Sequence, residues 1–407
     1  MDALIAELPS FDPERELPGP PDPWASTEMP ILRDGPPYLM TESIAAEPAL
    51  AERLVGRLEQ SSAVDGLARL IRATATRGEP VIVTGCGTSE HAALGVVEIL
   101  RDAWRAAKLP ALGGGVAGPV AAQAFELSLD PPTGGLVIGV SHEGGTTATN
   151  AALQTARAAG ARTALLTVSD RSPGAAIAEV VVETGELDLD WCHTIGYVSP
   201  LIAASVVGAR LTRSSVSGPA LHARLADGIA SAMRTAPEIA SRLGDAARLL
   251  VIASGADRPA GRELVLKLEE ASWLPSAYRD LETFLHGHLP SVDASTALVL
   301  ILADPAAREA RVTRARQALQ AAAALDVRTA AILTTDVAAA LPMALTPAGR
   351  IVIPEPSGLP GATGALLGTA TPLQLLTERI ARARGTNPDP IRRDDERYRR
   401  ASEAAES

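Results

Sequence analysis

Residues Gly135–Asn150 read GLVIGVSHEGGTTATN. Leu136 to Val140 is a short apolar run with β-branched residues, the pattern of a strand buried on both faces of a parallel sheet. The run stops at Ser141, and a polar, glycine-bearing turn follows, Ser141-His142-Glu143-Gly144-Gly145-Thr146-Thr147. An alanine-rich segment then predicts a helix ending at Gly160. Strand, turn and helix N-terminus together make a cup of backbone N–H groups and hydroxyls. Such a cup lies at the carboxyl end of a strand, where open α/β sheets bind ligands.

The same plan appears upstream in EPVIVTGCGTSEHAALGVVEILRDAW. Val81 to Thr84 predicts a strand, Gly85-Cys86-Gly87-Thr88-Ser89 a tight turn, and Glu90 to Trp104 a helix with apolar residues at helical spacing. A dinucleotide fingerprint is a poor reading of Gly85-x-Gly87. The third glycine is missing, and no acidic residue closes a second strand about 20 residues on. Further strands are expected at Leu109 to Leu112, Thr163 to Val168 and Val180 to Thr184. The stretch ELDLDWCHTIGYVSP is a loop leading into a long apolar helix. Between Met40 and Arg77 the pattern is helical, with Glu47-Pro48 expected to separate a short helix from a longer one.

After residues 222–247, read as helices and a link, the plan repeats. RLLVIASGADRPAGRELVLKLEEASW mirrors the earlier strand, turn and helix, and Leu298 to Leu302, VRTAAILT and RIVIP supply more strands. Strands alternating with helices imply parallel sheets. The chain is therefore expected to be an internal duplication of one α/β unit. Ala256, Asp257, Arg258 and Pro259 stand in the second copy where the first has Cys86 to Ser89. The expected limits are a proline-rich extension over 1–37, a first domain over 38–235, a second over 236–384 and a polar tail over 385–407.

Composition narrows the function. The 407 residues are 46% hydrophobic but only 3% aromatic, so the core must be built from Ala, Val, Leu and Ile. A net charge of −11, with no basic stripe, argues against nucleic acid. No apolar run approaches the ~18 residues of a membrane span. The N-terminus lacks the basic and apolar regions of a secretory signal. Cys86 and Cys192 form no CxxC pair and no disulfide framework. A cytoplasmic protein is expected.

These features resemble the double-SIS (sugar isomerase) family, and within it the isomerase half of the glutamine–fructose-6-phosphate aminotransferases. The resemblance runs from about Tyr38 to Arg397. It rests on the lead-in PYLMTESIAAEP, on Gly85-Cys86-Gly87-Thr88-Ser89, and on Ser141, Gly144 and Thr146. It also rests on Leu266-Lys267-Leu268-Glu269-Glu270-Ala271-Ser272, on His286-Gly287 at 16 positions beyond Glu270, on Pro372 to Leu376 and on Gly385-Thr386-Asn387-Pro388-Asp389. It implies two tandem three-layer αβα units, each with a flavodoxin-like parallel sheet. Residues 1–37 are too few for the family's amidotransferase half, so glutamine-dependent amination is not expected.

The resemblance also implies roles. Glu270 would shuttle the proton between C1 and C2, His286 would open the sugar ring and Lys267 would stabilise charge. Lys267 and Glu270, three apart, share a helix face, which by itself is also the spacing of an exposed ion pair. In the family the histidine enters a neighbouring subunit's pocket, so a homodimer with shared sites is expected. Cys86, Gly87, Thr88, Ser89, Ser141, His142, Glu143, Gly144, Thr146 and His193 would contact the substrate. Ordinary turn and capping chemistry accounts for the same Ser and Thr residues. Three positions depart from the family: His142 and Glu143 replace an amide and a hydroxyl, His193-Thr194-Ile195 replaces Ser-Thr-Lys, and Asp394 to Arg397 offers no equivalent of the tail lysine. Glu143 is expected to repel a phosphate in the family's pose.

The reading is an aldose–ketose isomerase, or an isomerase/deaminase that adds or releases ammonia at C2, acting on a sugar or amino-sugar (phosphate) through an enediolate, without cofactor or metal. Two other readings are weighed. Glu90-His91, His142-Glu143 and Cys192-His193 fall at one end of the first sheet and could hold Zn²⁺ or another divalent ion, though no close-spaced ligand motif supports this. A non-catalytic sugar-derivative sensor is the third, and the presence of Lys267, Glu270 and His286 argues against it.

Overall fold

The structure, a computed structural model, describes residues 1–111 and 118–406. Among the described residues ten strands occur in chain order: β1 (Val81–Gly85), β2 (Val120–Gln123), β3 (Leu136–Val140), β4 (Arg162–Thr167), β5 (Val180–Glu183), β6 (Arg248–Ala253), β7 (Ser276–Asp280), β8 (Thr296–Leu302), β9 (Arg328–Thr334) and β10 (Gly349–Ile353). They form two five-stranded sheets, ordered β2-β1-β3-β4-β5 and β7-β6-β8-β9-β10. Every pairing is parallel. Both sheets have the same order, 2-1-3-4-5 in their own numbering, which is the doubly wound flavodoxin-like order.

The apolar runs lie at the centres of the sheets. Every residue of β3 and of β8 is buried. Helices Leu39–Glu59, Thr88–Ala106, Ile195–Thr212, Gly218–Leu243, Arg258–Ser272 and Gly361–Arg384 pack on one another between the two sheets. This shared layer makes one body of two repeats, and it explains three departures from expectation.

Glu47-Pro48 does not divide a helix. Leu39–Glu59 is continuous with Pro48 inside it and is buried along most of its length. The proline removes one backbone hydrogen bond, and packing on every side outweighs that loss. The domain limit expected at 235/236 falls inside the unbroken helix Gly218–Leu243 for the same reason, Pro237 notwithstanding. Ile195–Thr212 has the length and mean hydropathy, 1.3, of a membrane span, but 89% of it is buried inside the protein. It is a core helix.

Two strand assignments also change. The strand expected at Leu109 to Leu112 is not there: Lys108 turns the chain at φ +51°, Leu109 to Ala111 are irregular, and Leu112 lies outside the described residues. The strand beside β1 is β2, which sequence reading missed because half-buried alanines carry no strand pattern. β7, with Arg and Asp in an edge strand, was missed as well.

The two switch points, where strand order reverses, differ. At the second, between β6 and β8, the chain fills the crevice with its own side chains. The buried Asp257 carboxylate accepts N–H bonds from Ala303 at 2.7 Å and Asp304 at 2.9 Å. Asp304 in turn accepts from Ala256 N–H at 2.8 Å and pairs with Arg311. The first switch point, between β1 and β3, is left open.

Candidate active site at the first switch point

A cavity of about 410 Å³ opens at the carboxyl ends of β1 and β3, lined by the turns that follow them and by residues from distant parts of the chain. Cys86, Gly87, Thr88 and Ser89 come from the first turn, and His142, Glu143, Gly145 and Thr146 from the second. Gly87 takes φ +57°, ψ −130°, a conformation closed to other residues, and starts helix Thr88–Ala106 there. Gly144, at φ +74°, turns the second loop so that a Cβ would lie 2.1 Å from Ser172 Oγ. Both helices, Thr88–Ala106 and Thr147–Ala158, begin at the cavity, and their N-termini favour anionic groups.

Glu270 reaches the cavity from helix Arg258–Ser272 of the second repeat. Its Oε2 lies 2.6 Å from Lys267 Nζ, and Cys192 Sγ donates to the same oxygen at 3.8 Å. Lys267 is fully buried, 3.7 Å from Glu263, and Glu263 is 2.8 Å from His91 Nδ1. Burial opposes the charge on Lys267, but the carboxylates around it raise its pKa, so it stays an ammonium. Burial pushes the Cys192 thiol well up and keeps it protonated. Glu270 is thus oriented by two donors and open to the cavity.

His142 and His193 converge on Asp188. His142 Nε2 is 3.2 Å and His193 Nδ1 3.4 Å from Asp188 Oδ2, and the ring centroids are 5.6 Å apart. Asp188 Oδ1 accepts the N–H groups of Thr194 and Ile195, both at 2.7 Å, and Oδ2 accepts that of Gly196 at 2.9 Å. The carboxylate thereby caps the third helix N-terminus at the cavity, that of Ile195–Thr212. Burial pushes the pKa of His142 down. Burial also opposes charge on His193, where the neighbouring Asp188 prevails and raises the pKa.

The proline-rich extension contributes Ser26 and Thr27 to the cavity. It is held there by the second turn: Trp24 Nε1 donates to the Glu143 carbonyl at 3.0 Å and Thr27 N–H to the Glu143 carboxylate at 2.9 Å. Trp191 and Arg393 complete the wall, the Arg393 guanidinium lying 5.2 Å from the centre of the Trp191 ring. The tail carrying Arg393 is fastened by Asp389, whose carboxylate accepts Leu39 N–H and Met40 N–H, each at 3.0 Å.

Most of the residues singled out in the sequence therefore meet at one place. Ser141 and Gly144 sit in the second turn behind the lining, with Ser141 Oγ donating to Thr146 Oγ1 at 3.3 Å. Lys267 lies behind Glu270. His286 does not line this cavity. It sits on an exposed kinked turn, 2.9 Å from Glu282 and 3.1 Å from Arg314. Of the groups weighed for a metal, His91 is taken by Glu263, Cys192 faces Glu270 and Glu143 serves Thr27. Sequence reading missed Asp188, Ser26, Thr27, Trp191, Arg393 and Glu263. Only Glu263 had a local signal, its i,i+4 spacing to Lys267.

No family model matches the chain. Among curated proteins it is 27% identical to the glutamine–fructose-6-phosphate aminotransferase [isomerizing] of Gloeobacter violaceus, over 77% of this chain and 51% of that one. The chain thus spans about half the length of that relative. Among solved structures it is similar to the C-terminal domain of glucosamine-fructose-6-phosphate aminotransferase from Francisella tularensis. The TM-score is 0.70, with 18% identity over 88% of this chain and 99% of that one. It is also similar to tagatose-6-phosphate ketose/aldose isomerase from Escherichia coli, with TM-score 0.67 and 18% identity over 90% and 98% of the two chains. Glucosamine-6-phosphate deaminase from Thermotoga maritima matches at TM-score 0.57, with 15% identity over 86% and 96%. The chain carries the tandem α/β fold of the double-SIS proteins and resembles the isomerase half of glutamine–fructose-6-phosphate aminotransferase.

Proposed function

We propose that the protein is an aldose–ketose isomerase acting on a sugar or amino-sugar phosphate. The observation that carries this reading is the position of Glu270, a carboxylate oriented by Lys267 and Cys192 and open to the cavity that the two turns enclose. Isomerisation requires one base to take a proton from one carbon and return it to its neighbour, and a cation near the enediolate that forms between. Glu270 is the base. Lys267, 2.6 Å away, orients it and places positive charge behind it.

The hydroxyls of Thr88, Ser89 and Thr146, with the two helix N-termini, bind the polar and anionic end of the substrate. Arg393 adds a cation to the cavity wall. His286, exposed as it is, serves ring opening in the cavity of a second subunit, so the working unit is a homodimer.

Incubating the protein with a panel of hexose and hexosamine phosphates in D₂O tests the reading. The expected result is deuterium at C1 or C2 of one of them, and its loss by ~10²–10⁴ in rate in Glu270→Gln, with sugar binding retained. Exchange at an unchanged rate in the variant would remove Glu270 from this role.

A further inference from the structure

His142 and His193, which line the cavity, and Asp188 behind them have a geometry that hydrogen bonding alone does not explain. His142 Nε2 and His193 Nδ1 are both shielded from solvent and lie close to Asp188 Oδ2, yet among the described residues neither nitrogen makes a well-directed hydrogen bond. The nitrogens are near that oxygen without being aimed at it. Leaving two buried imidazole nitrogens without a partner is destabilising unless something else satisfies them.

We propose that His142 Nε2, Asp188 Oδ2 and His193 Nδ1 bind a divalent first-row transition metal, with its remaining positions open to the cavity. All three ligand atoms lie within 4.8 Å of one another. Zinc bonds of about 2.0–2.2 Å set tetrahedral ligand edges of roughly 3.3–3.5 Å. The two N···O separations, 3.2 and 3.4 Å, match those edges, and a turn of the partly exposed His193 ring would bring the two nitrogens to the third. Two neutral imidazoles and one carboxylate, with open positions, form the donor set of catalytic zinc sites and of related first-row metal sites, while closed structural sites use four protein ligands.

The surroundings are built to hold these groups still. Asp188 is fixed by the N–H groups of Thr194, Ile195 and Gly196. Val168 N–H, at 2.9 Å, and Thr167 Oγ1, at 3.0 Å, both donate to the His142 carbonyl and pin its loop to the end of β4. Backbone and hydroxyl contacts of this kind orient first ligands in metal sites. The other histidine, thiol and carboxylate groups nearby are already engaged elsewhere, which leaves this triad as the convergent set among the described residues.

The role of the metal rests on the isomerase reading. His142, His193 and Glu270 line the same cavity, so the metal would hold the vicinal oxygens of an open-chain hydroxy-carbonyl sugar. As Glu270 takes the carbon-bound proton, the C–H electron pair becomes the C1–C2 double bond of the enediolate. The carbonyl π pair moves to its oxygen, whose charge the metal would offset; the hydroxyl proton then passes from the other oxygen to this one, that O–H pair becomes the new C=O bond, and the C1–C2 double-bond pair takes the proton back from Glu270 at the neighbouring carbon.

The test uses the full chain, purified without a histidine tag and without chelator. Mass-spectrometric metal analysis should find about one equivalent of a divalent first-row metal per chain. After chelator treatment, Zn²⁺ should rebind one to one in competition with a chromophoric chelator, and Co²⁺ should give visible d–d absorption. His193→Ala and His142→Ala should each weaken Zn²⁺ binding roughly a hundredfold or more, with circular dichroism unchanged, and Glu270→Gln should keep the metal. His193 is partly exposed and decides the matter if His142→Ala does not fold. Absence of stoichiometric metal together with absence of one-to-one Zn²⁺ binding would overturn the site, as would unchanged binding in His193→Ala. Metal bound without turnover of any sugar would overturn the isomerase reading and leave the site standing. Proton exchange at full rate in the metal-free chain would overturn the metal's role in the reaction.

Discussion

Thr27 and Glu143, 116 positions apart in sequence, are joined by a 2.9 Å hydrogen bond from the Thr27 backbone N–H to the Glu143 carboxylate. The carboxylate that breaks the family pattern in the second turn is thus the anchor of the N-terminal segment. Its charge still lies at the edge of the cavity, and the two effects separate by substitution. Glu143→Gln keeps an acceptor for Thr27 and removes the charge. One charge about 8 Å from a phosphate costs about 2 kcal/mol at an effective dielectric of 20, so sugar-phosphate affinity should rise by about thirtyfold. Glu143→Ser removes the anchor as well, and limited proteolysis should then cut the chain near residues 22–30. Protection equal to that of the unmodified protein would show that the anchor holds through Trp24 alone.

Lys267 is a buried ammonium between Glu263 and Glu270. Removing one partner of a buried ion pair leaves uncompensated charge and costs about 3–5 kcal/mol. Lys267→Met should therefore lower the denaturant midpoint strongly, while Glu270→Gln, whose side chain is partly exposed, should lower it much less. Equal losses in chemical denaturation would contradict the burial argument.

Asp257, buried at the filled switch point, has its pKa pushed up to about 7, first by burial and then by the nearby Asp304. Between the unfolded value near 3.9 and that value, the folded chain holds a proton that the unfolded chain has lost. Stability from this group is complete below the unfolded pKa and declines as pH rises through about 7. From pH 6 to pH 8 the loss should be about 1–1.5 kcal/mol. Asp257→Asn keeps an acceptor for Ala303 and Asp304 and should flatten this part of the profile, as measured by urea unfolding. An unchanged slope would show that other groups control it.

His286 and Glu270 should belong to one active site through two subunits. Glu270→Gln and His286→Gln homodimers should each be nearly inactive. Mixed by unfolding and refolding, they should recover about a quarter of the native sites, the statistical share in which both intact residues meet. Sedimentation should show a dimer throughout. An active monomer, or the absence of recovery on mixing, would end the shared-site reading.

The two α/β units and their parallel sheets were legible from residue pattern alone. Buried parallel strands declare themselves as short apolar runs, and Leu136–Val140 and Leu298–Leu302 needed no tertiary information. The turns at Gly85–Ser89 and Ser141–Thr147 were legible because backbone conformation there demands glycine and helix N-termini demand hydroxyls. Pattern failed where packing outweighs local preference: Pro48 inside a buried helix, the helix that crosses the expected domain limit, and the alanine and arginine edge strands.

The site was legible in its turns and in the Lys267–Glu270 helix. The partners of those residues follow from packing and not from any local pattern. Asp188 joins His142 across 46 positions, Thr27 joins Glu143 across 116 and Glu270 joins Cys192 across 78. Such pairings leave no period in the sequence, because they depend on where loops end after helices from both repeats have packed into one layer. The same packing left one switch point open and let Asp257, Asp304 and Arg311 close the other, a choice set by what each crevice is filled with.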